Sequence, residues 1–164
     1  SLSRLLGMTC VGLGAGDSLS YDGGGALVLW PGTGGGIIAD GQPDEHRTGN
    51  EASLVIRFDT GEGRILFTGD IEPDTQTQLT AWNGHLESGI LKVPHHGAAG
   101  LSSAFLSAVD PLTAVISCGT NNRYSHPSQH TLDTLRRSAI DVRRTDRDGA
   151  VLMNAGHFRH KHRN

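Results

Sequence analysis

A carboxylate follows an apolar segment and a glycine in Phe67-Thr-Gly-Asp70-Ile-Glu72. Where a strand gives way to a turn that contains glycine, a carboxylate projects from the edge of the sheet, and functional sites are common there. Thr-Gly-Asp is also a common turn sequence. Taken alone, the segment therefore favours a structural role.

Two adjacent histidines follow the next apolar segment, in Leu91-Lys-Val-Pro-His95-His96-Gly97. Side chains alternate along a strand, so the two rings are predicted to point in opposite directions. Only one of them would then face a given site. The other would support that site from behind, contact a substrate or pack in the core, and for an isolated His-His-Gly packing or turn formation is the commoner role.

A third polar segment, Asn122-Arg-Tyr-Ser-His126-Pro127, also comes directly after an apolar run. It offers an amide, a guanidinium, a phenol and an imidazole, groups that can grasp a phosphate or protonate a leaving oxygen. The alternative is a polar loop that ends in the cap of the next helix.

Together, these segments favour a common site. Carboxylate and imidazole groups at the ends of successive strands can converge on one edge of a sheet. Carboxylate oxygen and neutral imidazole nitrogen are ligands for Zn²⁺ or Mn²⁺ in hydrolytic sites. Asp70 and one histidine, however, are too few to hold a catalytic metal.

The segments that would position these residues alternate between strand and helix patterns. Period and turn chemistry predict strands at 26–30, 53–58, 64–68, 90–93, 114–117, 141–145 and 150–153. Helices are predicted at 73–82, after a cap at Ser102 or Ser103, and at 128–137. Hairpins come first and strand–helix–strand units second, which indicates a layered, mixed α/β architecture over residues 1–155.

Two segments look irregular. Residues 32–49 form a predicted long surface loop, and 156–164 form a basic, histidine-rich tail that we expect to be solvated. The chain carries 14 Lys and Arg against 17 Asp and Glu, a net charge of −3, which excludes nucleic-acid binding by bulk electrostatics. No apolar run approaches the roughly 20 residues of a membrane span, so we expect a soluble domain. The start at Ser1 indicates a piece of a longer chain.

Six motifs in order resemble the metallo-β-lactamase domain of ComEC-type DNA-uptake proteins. They begin at Asn50, Leu66, Leu91, Ser102, Asn122 and Thr145, and read Asn-Glu-Ala-Ser-Leu-Val-Ile, Leu-Phe-Thr-Gly-Asp-Ile-Glu, Leu-Lys-Val-Pro-His-His-Gly, Ser-Ser-Ala-Phe-Leu, Asn-Arg-Tyr-Ser-His-Pro and Thr-Asp-Arg-Asp-Gly-Ala-Val. The resemblance covers about residues 16 to 153.

The resemblance implies a four-layer αββα sandwich with two divalent ions, Zn²⁺ or Mn²⁺, at one edge. Asp70 resembles the family's bridging carboxylate, a metal ligand and catalytic residue. His95 or His96 resembles the last histidine ligand, with His95 favoured, and Asn50 stands where related enzymes often have another. The residues it implies for substrate binding are Ser102, Ser103, Asn122, Arg123, Tyr124 and His126, of which His126 is also implied to be catalytic.

Two signatures of the family, Asp-x-Gly-Gln-Gly-Asp and His-x-His-x-Asp-His, occur nowhere in the 164 residues. The second supplies most of the metal ligands. Smaller departures are Ala98 in place of a serine and Ser125 in place of a glycine. We therefore predict that the chain is the C-terminal half of such a domain, with a first half that is encoded upstream, lost or not included.

The implied activity is metal-dependent hydrolysis of phosphodiesters in one DNA strand during uptake. The implied parent protein lies at the bacterial inner membrane, with a membrane channel attached. Two alternatives are a catalytically inactive binding or scaffold fragment, and a hydrolase of small molecules from the same superfamily. Half of a two-sheet sandwich also exposes the face that would meet its partner sheet, which predicts an apolar patch and self-association.

Overall fold

The computed structural model describes residues 13–31, 49–81 and 85–153. Trp82 of the predicted first helix, nearly all of the predicted loop 32–49 and the tail 156–164 lie outside these ranges. Seven strands form one mixed sheet whose spatial order follows the chain. They are β1 (Ser18–Tyr21), β2 (Gly24–Trp30), β3 (Val55–Thr60), β4 (Gly63–Phe67), β5 (Ile90–Lys92), β6 (Thr113–Ile116) and β7 (Asp141–Arg144).

The direction of pairing changes at β4. Strands β1 to β4 pair antiparallel, and the predicted β3–β4 hairpin closes with Thr60 opposite Gly63. Strands β4 to β7 pair parallel, which requires crossover connections. Three helices lie in those crossovers: α1 (Pro73–Ala81), α2 (Ser103–Val109) and α3 (Gln129–Arg137). The carboxyl ends of β4, β5 and β6 therefore share one edge, and the three polar segments leave from it.

The main core lies on one face of the sheet. Leu66, Leu91 and Ala114 are fully buried and stand next to each other across β4, β5 and β6. Residues of all three helices complete this cluster: Leu79 from α1, Phe105, Leu106 and Val109 from α2, and Leu135 from α3. Burial of these side chains fixes which face of the sheet packs against the helices and holds the parallel strands in register.

The predicted helix starts are confirmed. The Ser102 hydroxyl accepts a hydrogen bond from the Phe105 N–H at 3.3 Å, and the Ser128 hydroxyl accepts one from the Thr131 N–H at 3.2 Å. Pro73 occupies the first position of α1, where its missing N–H would have no partner in the helix.

One strand was not predicted, and one predicted strand is absent from the described residues. Strand β1 was not expected, because its four exposed residues carry little apolar pattern. The predicted strand at 150–153 and its turn are replaced by a short helix, α4 (Thr145–Asp148), followed by irregular chain. The Asp148 carboxylate accepts from the Arg144 N–H at 2.8 Å, and Thr145 is tied to Cys118 by two bonds. Local acidic and hydroxyl partners thus close a helical turn where a hairpin was expected.

The opposite face of the antiparallel half is apolar and partly open. Ile56, Phe58, Ile65 and Phe67 line a shallow groove together with Tyr21 and Leu54. Phe67 is 45% exposed and packs edge-on against Phe58 at 5.6 Å between ring centroids. The expected apolar patch is therefore present. The described residues form one sheet, and the two-sheet αββα sandwich stays a prediction.

This face predicts self-association of the 164-residue chain. We expect the mass measured by light scattering to rise with concentration, and Phe67→Ser to weaken association about tenfold, because it removes roughly 1–2 kcal/mol of apolar contact. The control is Leu152→Ser, since Leu152 is 89% exposed but lies outside the sheet. A monodisperse wild-type monomer, or equal effects of the two substitutions, would contradict this expectation.

Candidate functional site at the carboxyl edge of the sheet

The Asp70 turn is fastened to the neighbouring strand. The Thr68 hydroxyl donates to the Lys92 carbonyl at 2.8 Å. The Gly69 carbonyl accepts from the Lys92 ammonium at 3.1 Å and from the backbone N–H of His95 at 3.2 Å. The carboxylate and the histidine segment are therefore held in register through the backbone.

Glycine is required at position 69. Its φ is 53°, in the left-handed region, and a Cβ there would lie 2.8 Å from the Cβ of Ser53. Ser53 follows a 3-10 helix (Gly49–Ala52), and its hydroxyl accepts from the Asp70 N–H at 3.1 Å. The Asn50 motif thus packs directly against the Asp70 turn.

The prediction that His95 and His96 point in opposite directions is wrong. Strand β5 ends at Lys92, and both histidines lie in a 3-10 turn (Pro94–Gly97) with φ values of 46° and 54°. Alternation applies to extended backbone only, so both rings reach the same edge. His96 Nε2 lies 3.6 Å from an Asp70 carboxylate oxygen, and His95 Nδ1 lies 3.9 Å from Glu72 Oε1.

Close approach of Gly97 to Pro127 brings in the third segment. A Cβ at Gly97 would lie 2.7 Å from the Cβ of Pro127, and the Gly97 carbonyl accepts from the Ser128 N–H at 2.8 Å. The His95 and His126 ring centroids are consequently 5.8 Å apart. Asp70, His95, His96 and His126 therefore form one cluster, as convergence of the strand ends predicts.

The hydrogen bond at His96 defines its neutral tautomer. His96 Nδ1 lies 2.7 Å from the Ser117 carbonyl oxygen, which can only accept, so Nδ1 carries the proton. Nε2 is then left with a lone pair and faces Asp70. A backbone carbonyl behind an imidazole is the usual support of a metal-binding histidine. This geometry favours His96 over His95 as the partner of Asp70, contrary to the preference drawn from the sequence.

Lys92 and Glu72 join the site although neither was among the predicted site residues. The Lys92 ammonium lies 3.8 Å from an Asp70 oxygen. Burial lowers the pKa of Lys92, and the charge of Asp70 opposes that shift. Lys92 and Glu72 each lie within one of the six motifs. The sequence of a motif, however, does not show which of its side chains face Asp70 or His95.

The environment of His126 disfavours a positive charge on its ring. Burial lowers its pKa most, the neighbouring His95 and His96 lower it further, and Asp70 acts in the opposite direction. The ring is therefore neutral near pH 7 and suited to accept a proton or share a hydrogen bond.

Asn122 holds the loop that carries His126. Its amide donates to the carbonyls of Gly119 and His126 at 2.9 and 2.7 Å, and its oxygen accepts from the His126 N–H at 2.8 Å. These bonds occupy the side chain, so its geometry favours a positioning role over the predicted contact with substrate. Ser125 has a φ of 56°, in the left-handed region that favours glycine.

Arg123 and Tyr124 form an exposed layer beside His126. The Tyr124 ring is 63% exposed and stacks on His126 with an interplanar angle of 17°. The Arg123 guanidinium donates to the Tyr124 hydroxyl at 2.7 Å. The Arg123 guanidinium carbon also lies over the Tyr124 ring, 4.9 Å from its centroid, and this exposed pair of an aromatic ring and a cation next to the histidine cluster suits a base and a phosphate.

Ser102 and Ser103 lie at the start of α2. The Ser102 hydroxyl caps the helix, and its backbone N–H donates to the buried side chain of Gln76 at 2.9 Å. Their role in substrate binding remains a prediction.

The donors present suit Zn²⁺ or Mn²⁺ in kind but not in number. Asp70 and His96 offer a carboxylate and an imidazole lone pair that face each other. Within residues 13–31, 49–81 and 85–153, however, no three such groups are placed to hold an ion. A complete metal site requires donors from elsewhere.

We expect Asn122→Ala to lower the free energy of unfolding by about 1–2 kcal/mol, since it leaves the His126 N–H and two carbonyls without their partners. Urea denaturation measures this change. The matched control is Gln129→Ala, whose amide binds only the exposed Asp133 carboxylate at 2.9 Å, and it should stay within about 0.5 kcal/mol of the wild type. Equal stability of the wild type and Asn122→Ala would refute the positioning role.

No described helix has the length and apolar character needed to cross a membrane.

No protein-family model matches the chain. It is 37% identical over 115 residues to ComE operon protein 3 of Bacillus subtilis, which covers 70% of this chain and 14% of the relative. It is 37% identical over 109 residues to competence protein ComA of Neisseria gonorrhoeae, covering 65% and 16%. Recombination protein 2 of Haemophilus influenzae is 33% identical over 109 residues, covering 66% and 14%. The chain thus spans about one seventh of the length of these relatives and is homologous to one segment of competence proteins.

Proposed function

We propose that this chain contributes one half of a metal-dependent phosphodiesterase site that cleaves a DNA strand in competence-related uptake. The observation that carries the proposal is the pairing of Asp70 with His96, whose Nε2 lone pair is freed by the Ser117 carbonyl. The remaining ligands would come from outside the described residues. The names of the relatives support the link with competence, and the activity and the DNA substrate are our proposal.

Each residue of the site would have the role that its chemical group allows. Asp70 and His96 would serve as ligands of Zn²⁺ or Mn²⁺, together with donors from outside the described residues. Such ions polarise the phosphoryl oxygen and offset charge that develops during hydrolysis. The neutral His126 would exchange a proton or a hydrogen bond with a phosphate oxygen, while Arg123 attracts the phosphate charge.

A binding or scaffold domain without catalysis is the second candidate. The number of donors favours it, because the described residues bring together fewer than three groups that could hold an ion. Such a domain would keep the Arg123–Tyr124 layer and bind nucleic acid without cleaving it. A hydrolase of small molecules would instead be insensitive to that layer.

The metal proposal is tested on two forms of the protein. The 164-residue chain should bind Zn²⁺ weakly and show no nuclease turnover, since most of the ligands are absent. A longer form that supplies a His-x-His-x-Asp-His cluster should bind metal and degrade DNA. There, Asp70→Asn should abolish turnover, because an amide cannot offset the charge of two cations. Elemental analysis and a DNA-degradation assay measure both properties.

The histidine variants provide the control within the longer form. His96→Ala should lose metal about as severely as Asp70→Asn, whereas His95→Ala should be milder. His126→Ala should keep its metal and lose about 10²–10⁴-fold in turnover. Normal metal content and rate in Asp70→Asn would mean that Thr-Gly-Asp is an ordinary turn, and the proposal would then fall.

Tyr124 should favour DNA with unpaired bases. We expect Tyr124→Ala to weaken binding of a single-stranded oligonucleotide by about 5- to 150-fold, consistent with roughly 1–3 kcal/mol for one stacked base. Tyr124→Phe keeps the ring and should bind nearly as well as the wild type. Fluorescence anisotropy at fixed salt measures the affinity, and equal binding by all three proteins would exclude stacking.

A further inference from the structure

Glu72 and Asn50 form a second polar pair at the site, next to His95 rather than His96. The Asn50 amide donates to Glu72 Oε1 at 2.9 Å, and this same oxygen lies 3.9 Å from His95 Nδ1. The backbone of Glu72 is also fixed, because its carbonyl accepts from the Gln76 N–H at 3.0 Å at the start of α1. The backbone of Glu72 is thus fixed by α1 and its carboxylate by Asn50, with Oε1 turned towards the His95 ring.

We infer that Glu72 is a positioning residue that fixes the neutral tautomer of His95, and that Asn50 holds Glu72 in place for this purpose. An ionised carboxylate can only accept a hydrogen bond, so it stabilises the tautomer that carries its proton on Nδ1. The distance of 3.9 Å exceeds hydrogen-bond length, so the carboxylate acts on the ring through charge–dipole attraction. His95 Nε2 then keeps its lone pair.

Both histidines would thereby carry their proton on Nδ1, each facing a different acceptor. The Ser117 carbonyl sets His96, and the Glu72 carboxylate sets His95. In both rings Nε2 then keeps a lone pair, which suits binding of a metal or receipt of a proton. The tautomer assignment stands on geometry alone, whereas its catalytic meaning rests on the proposed function.

The test is the tautomer itself. Long-range ¹H–¹⁵N spectra of the histidine rings are recorded on the full chain without metal at about pH 8.5, well above the ordinary histidine pKa of about 6.5. In the wild type we expect His95 to be protonated mainly on Nδ1. Glu72→Ala should shift the ratio of the two tautomers about fivefold towards Nε2–H. Glu72→Gln should shift it less, because the amide oxygen can still accept.

Two controls separate positioning from folding. His96 should keep its tautomer in every variant, since the Ser117 carbonyl is unchanged, and Glu62→Gln in the β3–β4 turn should alter neither ring. Asn50→Ala, a milder change on the surface, should move His95 in the same direction as Glu72→Ala. An unchanged His95 tautomer in both Glu72→Ala and Asn50→Ala, with His96 intact, would overturn the inference.

The outcomes also separate this inference from the proposed function. A shift in the tautomer without metal-dependent cleavage in the longer form would uphold the positioning role and remove the phosphodiesterase. Metal-dependent cleavage in the longer form with an unchanged tautomer would uphold the phosphodiesterase and overturn the positioning role.

Discussion

The carbonyl oxygen of Gly69 is the point on which the candidate site depends. It accepts from the Lys92 ammonium and from the His95 N–H, so one backbone atom fastens the turn after β4 to the turn after β5. Gly69 also lets Ser53 approach, and Ser53 in turn accepts from the Asp70 N–H. A side chain at position 69 would therefore disturb the placement of Asp70, His95 and the Asn50 motif together. The arrangement of the site thus depends on close backbone contacts around Gly69 and on the Lys92 side chain that reaches them.

The two faces of the sheet that carries this edge have different surroundings. One face is covered by α1, α2 and α3, and its rows of leucine and isoleucine hold the strand ends in register. The other face remains apolar and half-open around Phe58 and Phe67. Lys92 stands in register with Phe67 on that open face, and its ammonium reaches the Asp70 turn from there. Whatever covers the open face will therefore also change the dielectric around Lys92 and Asp70.

Sequence patterns predicted the elements better than the directions of side chains. The strands, the caps at Ser102 and Ser128 and the convergence of three segments follow from period and turn chemistry, which are local. The strand at 150–153 failed because Asp148 and Thr145 found partners in backbone groups of Arg144 and Cys118, contacts that a linear reading does not reveal. The same limit explains why the sequence did not predict the roles of Glu72, Lys92 and Asn122. Each role depends on which atom faces the side chain in the folded protein. The described residues contain one sheet, so the second sheet of the sandwich stays a prediction that rests on the family resemblance.

The histidine pair shows why adjacency alone could not decide between ligands. Alternation along a strand would have sent one ring away from the site, but the left-handed backbone at both residues keeps both rings at the edge. What distinguishes them is the acceptor behind each Nδ1: a carbonyl for His96 and a carboxylate for His95. His96 thereby presents its lone pair to Asp70, while His95 turns towards Glu72 and stands beside His126. Two adjacent histidines thus differ in the partners available to them, because the groups behind the two rings differ.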